Sequence, residues 1–199
     1  MARSPAAPPP ARTAGKPVAR PITAKYLQNA AMFYLERYSA SAEGVRRVLR
    51  RRVNKARRLE APIMDDVESA IEATIRKLID VGLIDDRQFA QTKARALYRR
   101  GTSARFTRQK LQVAGVDPET VQGALEALGG ELGADAGQRE WQAAVALARR
   151  RRLGPFRLPE QRPDRRVKDL AAMARAGFAF DVARKVIDAT DPDTLDEDS

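Results

Sequence analysis

The step from one helix to the next can be read from residues 78–90, which are LIDVGLIDDRQFA. An apolar stripe at helical spacing ends here, and Gly82 after it is a typical helix stop. Asp85 or Asp86 then supplies a carboxylate that can accept hydrogen bonds from the first free amides of a new helix. The apolar pair at 89–90 begins the buried face of that helix. The stretch therefore predicts two helices joined by a short turn.

The same pattern of helix starts and helix stops continues in both directions along the chain. Apolar residues recur three or four positions apart in successive segments between residues 23 and 187. Serine, threonine, aspartate or proline stands at the start of most segments, and glycine at the end of most of them. The alternation of apolar and polar residues that is typical of strands is absent. The sequence therefore predicts an all-α fold.

A repeat is visible within this helical pattern. Residues 111–121 (LQVAGVDPETV) and 173–182 (MARAGFAFDV) share one frame: an apolar residue, three residues, glycine, an apolar residue, a short turn and a helix. We predict three tandem three-helix units, at residues 22–83, 84–130 and 131–190. Units of this size cannot bury a helix face alone, so neighbouring units must supply the core. We expect an elongated, curved array.

Both ends of the chain differ in composition from the region between them. Residues 1–21 hold six of the twelve prolines and four basic residues, with no acid. Residues 191–199 hold five acids and no base. Residues 1–21 lack the large apolar side chains that would offset the entropy lost on ordering, and we expect neither segment to bury an apolar face. We therefore predict a disordered basic tail at the start and a solvated, disordered acidic tail at the end.

The composition excludes several classes of protein. The 199 residues contain 37 Lys and Arg against 26 Asp and Glu, with no histidine and no cysteine. Disulfides, zinc fingers, thiol nucleophiles and a Ser/His/Asp triad are therefore excluded. The acid pairs 65–66 and 85–86 could suggest a two-metal nuclease, but both stand at helix starts, where acids cap free amides. We expect a non-catalytic, cytoplasmic binder of polyanions, without cofactor or membrane span.

Three basic blocks, one in each predicted unit, are candidate contacts for an extended anionic partner. The densest block has eight cations and no acid within residues 46–58, and its apolar residues occupy the core side. Arginine suits phosphate because its planar guanidinium donates two parallel hydrogen bonds. Aromatic residues are sparse and lie at core spacing, so base stacking is poorly supported. The predicted contact residues are Arg46, Arg47, Arg50, Arg51, Lys55, Arg58, Arg99, Arg100, Arg105, Arg108, Arg149, Arg150, Arg151, Arg152, Arg165 and Arg166.

Residues 78–90 resemble the signature of the RecX family, in which an apolar-apolar-Asp-Asp-x-x-Phe-Ala stretch joins the first two units. The later glycine frames follow at family-like spacing, so the resemblance covers roughly residues 24–190. The third unit reads Arg-Ala-Gly-Phe where family members often carry two arginines before the glycine. The motif positions, which we expect to be structural, are Gly82, Asp85, Asp86, Phe89, Ala90, Gly101, Leu111, Gly115, Gly177 and Phe178.

The resemblance implies a regulator that binds the RecA recombinase filament on single- or double-stranded DNA. Such a protein inhibits strand exchange, ATP hydrolysis and co-protease activity, acts in DNA repair and the SOS response, and has no active site of its own. The resemblance also implies a monomer, built of three-helix repeats, that lies in the filament groove and binds nucleic acid weakly by itself. A basic, curved array would match the charge of the filament. The alternative is an independent helical module that binds DNA or RNA without sequence preference.

Overall fold

A computed structural model of the chain describes residues 20–197. The described chain is helical throughout, and its β-structure is limited to one parallel bridge between Ile22 and Ile63. The all-α fold of tandem helical repeats is thus confirmed. Of the predicted basic tail, all but Arg20 and Pro21 lies outside the described residues.

The helices follow one another in groups of three. The first unit contains α1 (Ala24–Leu35), α2 (Ala42–Arg58) and α3 (Val67–Asp80). The second unit contains α4 (Asp86–Arg99), α5 (Ala104–Val113) and α6 (Pro118–Leu132). The third unit contains α7 (Ala136–Arg151), α8 (Arg162–Arg175) and α9 (Phe180–Ile187). Two 3-10 helices (Gly154–Phe156 and Pro159–Gln161) lie between α7 and α8, and a short α10 (Thr194–Glu197) follows α9.

Each unit has its own hydrophobic core, in which the first and third helices pack together and the second helix closes the side. The second helices share a register. Leu49, Leu111 and Met173 follow one another at intervals of 62 residues, and all three are fully buried at 0% exposure. The repeat frame recognised in the sequence is therefore also a repeat of buried positions.

One predicted unit boundary falls within a helix. The boundary at 130/131 assumed that Gly129 and Gly130 begin a linker, but α6 continues to Leu132 and ends at Gly133, whose φ is +59°. A Cβ on Gly129 would lie 2.2 Å from Nη1 of Arg139. Glycine therefore permits the close approach of α7 to the last turn of α6.

The acidic C-terminal segment differs from the predicted solvated tail. Leu195 in α10 is buried at 2% exposure within the core of the third unit. Trp141 donates its indole N–H to the Leu195 carbonyl at 3.3 Å. The segment docks because it contains one apolar residue that reaches this core, and its acidic average composition conceals that residue.

Candidate polyanion-binding surface

A serine joins the first two units. Ser41, the N-cap of α2, donates its hydroxyl to the Ala114 carbonyl at 2.5 Å and accepts from the Gly44 amide at 3.0 Å. Ala42 beside it donates its backbone N–H to Oδ1 of Asp86 at 2.8 Å. The N-terminus of α2 therefore rests on the C-terminus of α5 and on the first residue of α4.

The second junction has the same geometry 62 residues later. Ser103, the N-cap of α5, donates its hydroxyl to the Ala176 carbonyl at 2.9 Å and accepts from the Phe106 amide at 3.3 Å. The Ala104 amide donates to Oε2 of Glu140 at 2.9 Å. Both serines are buried, so each junction hydrogen bond is shielded from water.

The glycines of the repeat frame make these junctions close. Gly115 has φ of +86° and Gly177 has φ of +88°, a backbone conformation that favours glycine. A Cβ on Gly115 would lie 2.2 Å from Cβ of Glu43, and one on Gly177 would lie 2.5 Å from Oγ of Ser103. The Ala-Gly pair at the end of the second helix therefore binds the serine of the preceding unit: the alanine carbonyl accepts its hydrogen bond, and the glycine leaves room for the close approach.

The carboxylates at the junctions are partly desolvated. Burial raises the pKa of the Asp86 carboxyl, and the hydrogen bond from Ala42 opposes this effect. Burial likewise raises the pKa of Glu140, with the hydrogen bond from Ala104 opposing it. The family-motif aspartate at 86 thus holds two units together, as the structural role expected for it requires.

The remaining motif residues also serve the fold. Gly82 ends α3 with φ of +72° and has open space around its Cβ position, whereas a Cβ on Gly101 would lie 2.4 Å from the Leu147 amide. Asp85 caps α4 by accepting from the Gln88 amide at 2.9 Å. Core or partly buried positions are taken by Phe89, Ala90, Leu111 and Phe178.

The densest basic block meets acids that come from outside its own sequence window. Arg46 donates to both carboxylate oxygens of Glu72, at 2.6 and 2.8 Å, and to Glu43 at 2.5 Å. These hydrogen bonds raise the pKa of Arg46 and lower the pKa of Glu72 and of Glu43. Acids from other parts of the first unit therefore balance the charge of Arg46, and its contact with an anionic partner stays a prediction.

Two more arginines of α2 have internal partners. Arg47 pairs with Glu43 at 3.0 Å and donates to the Val113 carbonyl of the second unit at 2.7 Å. Arg50 pairs with Glu68 of α3 at 2.9 Å. These pairs hold α2 against α3 and against the next unit, so the first half of the block is largely neutralised.

The second half of the block is not neutralised. The side chains of Arg51, Lys55 and Arg58 are exposed and form no ion pair or hydrogen bond within residues 20–197. Arg57 donates only to Oδ1 of Asn54, at 3.3 Å. These five side chains line an open groove of about 590 Å³.

The middle unit presents cations at the end of α4 and along α5. The four predicted residues of this unit are exposed, and their side chains form no hydrogen bond or ion pair within the described part of the chain. These residues are Arg99, Arg100, Arg105 and Arg108. Arg95 nearby forms a bidentate pair with Glu131, with one N–H···O distance of 2.7 Å.

In the third unit, as in the second, some cationic side chains have contacts within the chain and others have none. All six predicted residues of this unit are exposed, and four of them, Arg150, Arg151, Arg152 and Arg165, have side chains with no hydrogen bond or ion pair within residues 20–197. Arg149 lies 5.5 Å from the centroid of the Phe156 ring, a cation–π contact. Arg166 forms a bidentate pair with Asp188 at 2.6 and 2.7 Å, which lowers the pKa of Asp188.

One buried ion pair was absent from the sequence-based prediction. Asp169 of α8 is 2% exposed and accepts two hydrogen bonds from Arg157, each 2.8 Å, and one from the Gly154 amide at 2.9 Å. Burial raises the pKa of Asp169, but these hydrogen bonds outweigh it and leave the pKa lowered. The 62-residue register contains a signal for this position, because Thr107 is the equivalent buried polar residue of α5.

Residues 20–197 contain no helix that combines the length and the hydropathy needed to cross a bilayer. Within the same range, no three acidic side chains converge in a way that could hold a metal ion.

Comparison with known proteins places this architecture among its relatives. A family model described as the second three-helix domain of RecX matches residues 85–125. A protein named Regulatory protein RecX from Myxococcus xanthus (strain DK1622) is 40% identical over 171 residues, which cover 85% of this chain and 88% of the relative. Another of the same name, from Agrobacterium fabrum (strain C58), is 28% identical over 171 residues, covering 86% of each chain.

Solved structures show the same fold. A crystal structure of regulatory protein RecX aligns with a TM-score of 0.53 and 20% identity, over 83% of this chain and 72% of that one. The crystal structure of RecX from Lactobacillus salivarius aligns with a TM-score of 0.55 and 22% identity, over 87% of this chain and 97% of that one. With these folds shared and with 40% identity to a relative over 85% of this chain, the chain belongs to the RecX family of regulatory proteins.

Proposed function

We propose that this protein regulates the RecA recombinase by binding the RecA–DNA filament and inhibiting its recombinase, ATPase and co-protease activities. The observation that carries the proposal is the 40% identity to a protein named Regulatory protein RecX, over 85% of this chain.

The arrangement of cations supports an extended anionic partner. Each of the three units presents exposed cations, at the end of α2, along α5 and at the end of α7. Serine hydrogen bonds couple these units, so contacts made by one unit are positioned relative to the next. A filament of protein and DNA offers such a chain several successive contacts, which strengthens binding beyond any single one.

The proposed mechanism is occupancy and requires no chemical step by this chain. A monomer bound along the filament would oppose the changes between neighbouring RecA subunits that ATP hydrolysis and strand exchange require. We place the protein in the cytoplasm, with RecA and the DNA.

The proposal is tested by titrating the full chain into RecA assembled on single-stranded DNA while ATP hydrolysis is measured. We expect the rate to fall as the protein approaches stoichiometry with the filament. An unaltered rate at a clear molar excess would refute the proposal.

The exposed cations also favour a second function, an independent helical module that binds DNA or RNA without sequence preference. This function predicts equal affinity for unrelated sequences and no effect on RecA beyond competition for DNA. Adding DNA in large excess over both proteins separates the two, because competition for DNA then disappears whereas inhibition of the filament remains.

A further inference from the structure

The second helix of the first unit is longer than its counterpart in the second. Both start at an equivalent serine cap, Ser41 or Ser103, but α2 has 17 residues and α5 has 10. In the 62-residue register, residues 52–58 extend beyond the point at which α5 stops. Together with Arg51, the last position that α5 matches, we call these residues the overhang (residues 51–58).

Packing at the junctions explains why α2 can extend beyond this point, whereas α5 and α8 cannot. In the second and third units, the second helix must end at Ala114 or Ala176, because those carbonyls receive the serine of the preceding unit. Within residues 20–197 no unit precedes the first, so the end of α2 receives no serine. The overhang is therefore free of the constraint that shapes the other two second helices.

The two sides of the overhang are sharply different. Val53 and Ala56 are buried in the core of the first unit. The other side forms the groove lined by Arg51, Asn54, Lys55, Arg57 and Arg58, which contains four cations and no acid.

A second concavity of about 260 Å³ lies next to this groove. Its lining includes Arg20, Arg52 and Lys55, and Lys55 is shared between the two. Arg52 reaches the Tyr26 hydroxyl at 3.4 Å, and no carboxylate lines this concavity either. Six cations therefore surround the end of one helix, and Glu60, the first acid after the overhang, lines neither depression.

The helix dipole explains only part of this charge. Basic residues in the last turn complement the negative end of the dipole, which accounts for one or two of Lys55, Arg57 and Arg58. It does not account for Arg20 or Arg51, and cations placed three or four residues apart on one helix repel each other. The first half of α2 relieves this repulsion with glutamates, whereas the overhang has none.

We propose that the overhang lies along the sugar–phosphate backbone of a nucleic-acid strand, with Arg51, Lys55 and Arg58 as its phosphate contacts. A groove of cations and one asparagine suits a row of phosphates, whereas the core of a protein interface is depleted of charge and contains apolar anchors. The contact is independent of base sequence. This inference rests on the proposed function for the identity of the strand, which is the DNA of the RecA filament.

The test compares two triple variants of the full chain. The variant Arg51→Gln/Lys55→Gln/Arg58→Gln removes the unpaired cations of the groove while keeping helix propensity. The control Lys77→Gln/Arg87→Gln/Lys93→Gln removes three exposed charges from α3 and α4. Circular dichroism of both variants establishes that the helices are retained.

Binding to two unrelated single-stranded DNA sequences is measured by fluorescence anisotropy over a range of salt concentrations. For the groove variant we expect the slope of log affinity against log salt to shrink by roughly 2, because each phosphate contact contributes about 0.7. Affinity at 0.15 M salt should fall roughly 10- to 100-fold, equally for both sequences. The control should keep the slope of the unmodified protein.

Each other outcome has a defined meaning. An unchanged slope, or an equal loss in the control, overturns the inference. If the slope is unchanged but RecA inhibition is lost, the overhang contacts an acidic protein surface, and the inference fails while the proposed function stands. If the unmodified protein leaves RecA unaffected and the groove variant still loses DNA affinity, the proposed function fails and the phosphate contact stands.

Discussion

Replacing Gly115 by alanine should open the junction between the first two units. Gly115 follows the carbonyl of Ala114, which accepts the hydroxyl hydrogen bond of Ser41. An added Cβ would lie 2.2 Å from Cβ and 2.3 Å from Cγ of Glu43. Real Cβ atoms essentially never approach so closely, and these atoms stand at the base of the Glu43 side chain, where rotation gives little relief. The two helix ends must therefore move apart.

The structure contains a matched control for the backbone part of this effect. Gly82 has φ of +72°, close to the +86° of Gly115, but no atom lies within 4 Å of its Cβ position. Alanine at either position has a conformational cost of about 1–2 kcal/mol. Only Gly115→Ala adds the weakening of the Ser41 and Asp86 hydrogen bonds, each contributing about 0.5–1.5 kcal/mol. We expect about 3 kcal/mol for Gly115→Ala and about 1 kcal/mol for Gly82→Ala.

Thermal unfolding followed by circular dichroism measures this difference. In a chain of this size about 1 kcal/mol corresponds to roughly 2–4 °C, so Tm should fall by about 6–12 °C for Gly115→Ala and by about 2–4 °C for Gly82→Ala. Since repeat proteins are held together by nearest-neighbour interfaces, the Gly115→Ala transition should also broaden. Equal shifts in Tm for the two variants would refute the claim that Gly115 is required for close packing.

Three further predictions test other contacts. Glu140→Gln keeps an acceptor for the Ala104 amide, so stability at pH 7 should stay within about 1 kcal/mol of the unmodified protein. Because the folded pKa of Glu140 is raised, the contribution of this residue to stability should become more favourable as pH falls toward about 4.5. In pH-dependent denaturation, the stability of the unmodified protein should therefore rise relative to that of the variant. Arg46→Gln should return the pKa of Glu72 toward its ordinary value, as followed by NMR titration, and should destabilise the fold by about 1 kcal/mol. An unmoved Glu72 titration would contradict this pairing. Leu195→Ala should cost about 2 kcal/mol in urea unfolding, whereas a solvated tail would give no change.

The helices were predictable because their signals are local. Side-chain caps at Ser41, Asp85 and Ser103 and the glycine at 82 each act within one helix turn, and the apolar spacing names the buried face without knowledge of its partner. The end of α6 was not predictable in this way. Gly129 and Gly130 are typical of a helix stop, but α6 continues to Leu132, and the Arg139 guanidinium that lies against Gly129 comes from the next helix.

The same contrast between local signals and distant contacts applies to the candidate site. Which residues carry charge is evident from the sequence, but which of them keep that charge available depends on acids far along the chain. Arg46 pairs with Glu72, which lies 26 residues later in the sequence, and Arg50 pairs with Glu68, which lies 18 residues later. A window of sequence around residues 46–58 contains neither glutamate. The charge of the first half of the block is therefore largely balanced by glutamates that lie outside this window.

The junctions and the overhang follow from one physical requirement. A unit that follows another must end its second helix where the serine of the preceding unit can reach its carbonyl, and this end is fixed by a glycine at positive φ. The first unit receives no such serine within the described chain, and its second helix is free to extend. Exposed helix surface that packs against nothing can change its side chains without cost to the core. In this chain that surface carries cations without the glutamates found one turn earlier, which is why we propose the overhang, rather than the whole basic block, as the part of α2 that binds a polyanion.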